Sequence, residues 1–267
     1  MTHLDLFSGI GGFALAAQWA GFETIAFSEV NKYAIRVLAK HWPHVQNLGD
    51  IKKYEQWPEL GTIDLLTGGF PCQPFSNAGK RRGKRDDRYL WPSMLGVIQR
   101  YRPTWVLGEN VTGFISLGLD TCLSDLETAG YSARTFILPA CAVGAKHRRD
   151  RCWIVATNSH TDSHGFQGWT HTKQNTWVQK EFERLVQVEL RISIPTGKCD
   201  GVAHGVSHRV DKLQGLGNAI VPQVAYEILR CINLIVAGSR PRMAGISQSP
   251  SEKDLSSKEH VLCRVDP

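Results

Sequence analysis

The sequence predicts an α/β fold, a doubly wound and mostly parallel sheet carrying a small second lobe. Three observations carry that prediction. Short apolar runs alternate with stretches of helical periodicity between residues 2 and 157, glycine or proline stands at the joints, and the chemically unusual residues fall just after the apolar runs. Open parallel sheets collect their ligands at those strand ends. The length of 267 residues allows a sizeable core without covalent staples, and 42% hydrophobic with 21% charged residues is an ordinary globular balance.

In chain order, residues 4–7 read as a strand ending in Ser8-Gly9-Ile10-Gly11-Gly12, and a helix over 12–20 stops at Gly21. A strand over 24–28 leaves Glu29 at its C-terminal end. The helix over 31–40 aligns Tyr33, Ala34, Val37 and Leu38 on one face. A strand over 63–67 leads into Gly68-Gly69-Phe70-Pro71-Cys72. Pro92 opens a helix that aligns Met94, Val97, Ile98 and Tyr101, and Pro103 closes it. The strand over 105–108 ends in Glu109-Asn110, and the helix after it stacks Leu119, Cys122, Leu123 and Leu126. Strands over 132–138 and 152–157 complete the block. Residues 158–208 are polar and carry Trp169 and Trp177; they read as the small lobe. Order returns at 211–218, and a helix over 222–237 buries Val224, Ala225, Ile228 and Leu229. Residues 239–267, rich in Ser, Pro, Lys and Arg, read as a disordered tail. The catalytic domain is thus expected in residues 1–157 plus 209–238.

Composition excludes several classes. No apolar run reaches the roughly 20 residues that span a bilayer, and the start lacks the pattern of a signal peptide, so no membrane partner and a cytoplasmic location are expected. The seven cysteines are odd in number and never spaced Cys-x-x-Cys, which argues against a disulfide framework and a zinc cluster; no metal is expected. Lys and Arg exceed Asp and Glu by 31 to 25. That excess of +6 invites a polyanionic partner without establishing one. It concentrates in Lys80, Arg81, Arg82, Lys84, Arg85 and Arg88, and again in Lys146, His147, Arg148, Arg149 and Arg151. Solvated loops are the alternative for both clusters.

Four constellations could carry chemistry. Glycines between the first strand and helix let backbone approach a ligand, and Glu29 at the next strand end can accept bonds from ribose hydroxyls, so an adenosine-containing cofactor is indicated. The compressed Gly9, Gly11, Gly12 spacing departs from the dinucleotide pattern, and a plain tight turn is the alternative. Cys72 follows Pro71 in a rigid loop with basic residues beyond it, a setting that favours thiolate over thiol. The other six cysteines read as packed hydrophobes. Glu109 ends an apolar strand, where carboxylates are seldom placed for stability; Asn110 could cap a helix. Arg149 and Arg151 alternate around Asp150 just before a strand, suited to an anionic group or to a surface salt bridge.

Taken in order, these elements resemble the DNA cytosine-5 methyltransferases of bacterial or phage restriction-modification systems or orphan type. The resemblance rests on DLFSGIGGF at 5–13, Glu29, Gly49-Asp50-Ile51, GGFPCQPFS at 68–76, Glu109-Asn110-Val111, Arg149-Asp150-Arg151 and Gly217-Asn218-Ala219-Ile220-Val221-Pro222. It implies a Rossmann-like, class I S-adenosylmethionine-dependent methyltransferase acting on double-stranded DNA, as a monomer, with a cognate restriction endonuclease as a further partner. It implies Cys72 as the nucleophile, Glu109 as the acid, Arg149 holding the base and the acid, and Arg151 as its structural neighbour. Phe7, Gly9, Gly11, Glu29, Asp50, Ile51, Asn218 and Ile220 would hold the cofactor. A loop over 77–88 would close on DNA, with Ser76, Lys80, Arg81, Arg82, Lys84, Arg85 and Arg88 facing it. The setting implied is the cytoplasm of a bacterium, at its nucleoid, or of a phage-infected cell. Two departures stand out: Lys146-His147 replaces the family's usual Pro-Gln, and the segment available for target recognition is short. A tRNA cytosine-5 methyltransferase of the same architecture, or a DNA-binding relative with weak or lost turnover, remain alternatives.

Overall fold

The computed structural model describes residues 1–71, 89–158 and 219–239. Seven strands form one sheet in the order β3-β2-β1-β4-β5-β7-β6. They are β1 (Thr2–Leu6), β2 (Glu23–Ser28), β3 (Gln46–Asn47), β4 (Leu65–Gly68), β5 (Trp105–Val111), β6 (Tyr131–Pro139) and β7 (Asp150–Asn158). The helices are α1 (Gly12–Trp19), α2 (Lys32–His41), α3 (Trp91–Tyr101), α4 (Leu119–Thr128) and α5 (Pro222–Ser239). Strands β1 to β5 pair in parallel, and β7 alone runs against its neighbours. The sheet is therefore mostly parallel, as the alternation predicts.

Each face has its own core. On one side Leu4, Leu6, Leu66 and Val106 pack with Met94, Val97 and Ile98 of α3 and with Cys122 and Leu126 of α4. On the other, Leu65, Trp105, Leu107 and Trp153 pack with Phe13, Ala16 and Ala17 of α1 and with Val224, Ala225, Ile228 and Leu229 of α5. The strict alternation along β4 and β5 feeds both cores at once, which is why these strands read as continuous apolar runs, while β1 gives Leu4 and Leu6 to the first core alone. Helix α5, distant in sequence, lies against α1, and Asn233 Nδ2 donates to the Ala20 carbonyl at 2.6 Å.

Several predicted boundaries shift. The strand expected over 63–67 begins at Leu65, α3 starts at Trp91 with Leu90 before it, and α5 runs on to Ser239. The strand expected to end at Gly108 continues through Val111 because β7 pairs along its whole length, which puts Glu109 and Asn110 inside the ladder. Asn110 accordingly caps no helix. Asn158 is the last residue of β7 rather than the first of a lobe. Strand β3 and the 3-10 turn Ile51–Gln56 carry no apolar run and were not anticipated. Among the described residues no helix is long and apolar enough to cross a membrane.

Candidate active site

The C-terminal ends of β1, β2, β4 and β5 meet the N-terminal end of β7 along one rim. Because β7 is reversed, its first residues, not its last, reach the rim: Val111 pairs with Arg151 and Glu109 with Trp153. A parallel strand would have carried Arg151 to the opposite edge. Arg151 Nε donates to Glu109 Oε1 at 2.9 Å, with both side chains largely shielded from solvent. Burial raises the Glu109 carboxyl to about 6, against the opposing pull of Arg151 and then Arg149. An acid so placed still carries its proton in a fraction of molecules near neutral pH, where an ordinary carboxyl has lost it.

Arg149 stands just before β7 with φ at +40°, a left-handed conformation that costs a non-glycine residue about 1–3 kcal/mol. The Ala140 N–H, donating to the Arg148 and Arg149 carbonyls, helps hold that turn. The Arg149 guanidinium donates to the Ala219 carbonyl at 2.9 Å, so the contact to Glu109 comes from Arg151 while Arg149 ties in the chain that leads into α5. Arg148 instead pairs with Asp150 on the surface. Of the second basic cluster, Arg149 and Arg151 are thus engaged with the rim rather than turned outward as the charge pattern suggests.

The root of the Pro-Cys segment lies against this pair. A methyl group added at Gly69 would sit 3.3 Å from Glu109 Oε2. Phe70 is buried, with its ring centroid 5.2 Å from those of both Trp91 and Phe114, and Asn110 Nδ2 donates to its carbonyl at 3.1 Å. Cys72, Ser76, Lys80, Arg81, Arg82, Lys84, Arg85, Arg88 and Asn218 lie outside the described residues, as do Cys199, Cys263, residues 159–208 of the expected lobe and residues 240–267 of the expected tail. The described cysteines, Cys122, Cys141, Cys152 and Cys231, are buried thiols outside any disulfide, and burial pushes the Cys122 thiol well up.

Around the first glycine loop the backbone turns sharply: φ is +52° at Phe7, +54° at Gly9 and +90° at Gly11. A side chain at Gly11 would meet the Trp42 ring at 2.5 Å, and one at Gly12 would meet Ile220 at 2.8 Å. The Glu29 carboxylate accepts from Gly9 N–H at 2.7 Å, Val30 N–H at 2.8 Å and Asn31 N–H at 2.7 Å, bracing the loop against the start of α2. Among the described residues these three donors leave one carboxylate lone pair for a ligand. Asp50 caps the turn that begins at Ile51, its side chain accepting from Lys52 N–H at 3.0 Å. Asn47 links the two halves, accepting from Glu29 N–H and Gly49 N–H and donating to the Glu29 carbonyl. Sequence reasoning passes over Asn47, because an asparagine in a polar stretch looks like any turn residue.

The structure thus brings Phe7, Gly9, Gly11, Glu29, Asp50, Ile51 and Ile220 to one rim of the sheet, with Glu109, Arg149 and Arg151 beside them. A glycine-lined loop with a braced carboxylate suits a ribose, and the adjacent desolvated acid suits proton donation to a polar ring.

Comparison with known proteins agrees with that chemistry. Residues 1–195 match the C-5 cytosine-specific DNA methylase family. The chain is 32% identical to the type II methyltransferase M.HgiBI of Herpetosiphon aurantiacus over 207 residues, covering 74% of this chain and 45% of that protein. It is 36% identical to the type II methylase M.HgiEI of the same organism, covering 72% and 45%, and 31% identical to the orphan methyltransferase M.SPRI of Bacillus phage SPR, covering 70% and 44%. The chain therefore spans a little under half the length of these curated relatives. A crystal structure of a Spodoptera frugiperda DNMT2 triple mutant shares the fold, with a TM-score of 0.58 at 18% identity over 86% of this chain and 99% of that one. By its matched residues and by the architecture that carries them, the chain belongs to the C-5 cytosine-specific DNA methylase family.

Proposed function

We propose that the protein is an S-adenosylmethionine-dependent DNA cytosine-5 methyltransferase working through a covalent Cys72 adduct. One observation carries the reading furthest. A desolvated carboxyl, Glu109, sits beside an arginine and against the backbone that leads within three residues to Cys72. Carbon 5 of cytosine is a poor nucleophile until a thiolate adds at carbon 6. In that step the Cys72 sulfur bonds to carbon 6, and the electron density displaced onto ring nitrogen 3 is met by the Glu109 proton. Such general acid assistance contributes on the order of 10²–10⁴-fold. Arg151 holds the carboxyl in place, and Arg149, beside it, fixes the wall formed by Ala219. Once carbon 5 carries the methyl group, its own proton leaves to a base, ring nitrogen 3 returns its proton to Glu109, and Cys72 is expelled as thiolate, restoring the neutral aromatic ring.

The first loop fits the cofactor: Gly9 and Gly11 would admit it closely, Glu29 would accept a ribose hydroxyl, Phe7, Asp50 and Ile51 would hold the adenine, and Ile220 would complete the pocket, with Asn218 assigned to it by the sequence motif alone. When bound, S-adenosylmethionine supplies an electrophilic methyl group on a positively charged sulfur. A base inside a duplex must swing out to reach this pocket, at a cost of a few kcal/mol. The basic residues of 80–88, with Ser76, are assigned to the DNA backbone. A bacterial or phage-infected cytoplasm and a cognate nuclease are the setting this substrate implies.

Bisulfite sequencing of plasmid DNA from a methylation-free host expressing the protein tests the reading. Protected cytosines at one short recurring sequence are expected, and none with Cys72→Ser, which should still bind cofactor. Labelled methyl groups appearing in tRNA but never in duplex DNA would overturn the substrate assignment.

A further inference from the structure

Beneath the glycine loop, on the face that α1 covers, runs a row of polar side chains that the mechanism above leaves unused. His3 and Asp5 share that face of β1; Thr24 of β2 is opposite His3, and Thr67 of β4 is opposite Asp5. His3 Nδ1 lies 2.8 Å from Thr24 Oγ1, His3 Nε2 lies 2.8 Å from Thr67 Oγ1, and the Thr67 hydroxyl donates to Asp5 Oδ1 at 2.9 Å. With the Thr67 proton given to Asp5, Thr67 accepts from His3 Nε2–H. Complete burial lowers His3 to about 3, which keeps the imidazole neutral, and its bare Nδ1 then accepts from Thr24.

The row ends at Asp5, which is completely buried and whose Oδ2 has no hydrogen-bond partner among the described residues. Burial raises this carboxyl to about 8, Glu29 at the end of β2 raises it further, and the Thr67 hydroxyl and Ala14 amide pull the other way. The ionisable groups facing it are His3 on its own strand and Glu29. Helix α1 carries none, and Glu23 and Asp64 stand at the opposite rim. A buried carboxyl with an orphaned oxygen costs stability in either protonation state, so its place directly under a ligand loop points to the ligand.

We propose that Asp5 is a specificity-determining residue that favours the positively charged methyl donor over its neutral product, keeping its proton without cofactor and releasing it to solvent when the sulfonium cation occupies the loop above. This rests on the cofactor assignment made above. A bound cation favours the carboxylate, and ribose hydroxyls donating to Glu29 weaken the repulsion that keeps Asp5 neutral; S-adenosylhomocysteine supplies only the second effect. The two ligands share their own titrating groups, and Asp5→Asn separates the Asp5 contribution to the ratio of their affinities from that of Glu109, the other raised carboxyl at this rim. That ratio should rise with pH between the donor-bound and the product-bound pKa of Asp5, both below the ligand-free value of about 8, and then level off, by about tenfold for each unit that separates the two complexes.

Isothermal titration of S-adenosylmethionine and S-adenosylhomocysteine, from pH 6.5 to 8.5 in phosphate and in Tris, counts the protons released. More protons are expected with the donor than with the product, and no difference between them in Asp5→Asn. Thr67→Val removes a bond that favours the charged form and should move the step to higher pH, while Thr67→Ser should restore it. Should Asp5→Asn fail to fold by circular dichroism, the Thr67 pair decides alone. Equal proton counts for both ligands in the wild type, or a pH step that survives Asp5→Asn or ignores Thr67→Val, would overturn the proposal. If neither ligand binds the wild-type protein, the cofactor assignment itself fails and this inference falls with it.

Discussion

Replacing Glu109 with glutamine keeps an oxygen for Arg151 and takes away the transferable proton. Methyl transfer by Glu109→Gln should fall by about 10²–10⁴-fold, with cofactor affinity and melting temperature nearly unchanged. Since the native carboxyl is raised to about 6, its protonated fraction, and with it the Glu109-dependent part of kcat, should decline as pH rises through that value. A wild-type profile flat from pH 5.5 to 8, measured in single turnover, would contradict the assignment. The carboxyl itself is legible in the sequence, because a carboxylate at the end of Trp-Val-Leu-Gly is costly unless it is used. Its partner is not legible, because both arginines have the same chemistry and only the register of β7 decides which one reaches it. Asn47, His3 and Thr67 escape for a related reason: their importance lies in whom they bond across strands, and a linear chain does not state that.

At the scale of elements, the strands and helices are legible because their apolar spacing is long and regular. Helix α5 is the clearest case: Val224, Ala225, Ile228 and Leu229 form a stripe in the sequence and a buried face in the fold. Strand order is not legible, since pairing depends on edges and not on composition. The reversed direction of β7 is encoded only in the short connection over residues 140–149, which opens with the 3-10 turn Ala140–Val143 and is too short for the helical crossover that a parallel strand needs. Because α5 covers α1, it should be part of the cooperative unit. Ile228→Ala, at a fully buried position, should cost about 2–5 kcal/mol and lower the thermal midpoint measured by calorimetry, with the pocket residues untouched. A change within error would mean that α5 docks without contributing to the core.

For the whole molecule, the fold class follows from alternation alone, while the charge excess is ambiguous between a solvated surface and a nucleic-acid contact. The described residues resolve half of that ambiguity, since Arg149 and Arg151 are committed to the rim. If the segment over 80–88 contacts phosphates, duplex affinity should fall steeply with salt. Replacing Lys80, Arg81, Arg82, Lys84 and Arg85 with alanine should flatten the log–log slope by about 0.9 for each phosphate that is no longer neutralised. Fluorescence anisotropy across a salt series checks this, and an unchanged slope would detach that segment from DNA.

Because β7 runs against its neighbours, it enters at the rim of Glu109 and leaves through Asn158 at the opposite rim, paired there with Tyr131. Ala219 stands back at the first rim, gripped by Arg149. Any connection between these two points has to span the height of the sheet, roughly 25 Å at about 3.3 Å per residue, which about ten extended residues can do. The interval is therefore a cassette with two clamped splice points. Length can be gained or lost between residue 158 and the motif at 211–218 while both clamped ends stay where they are.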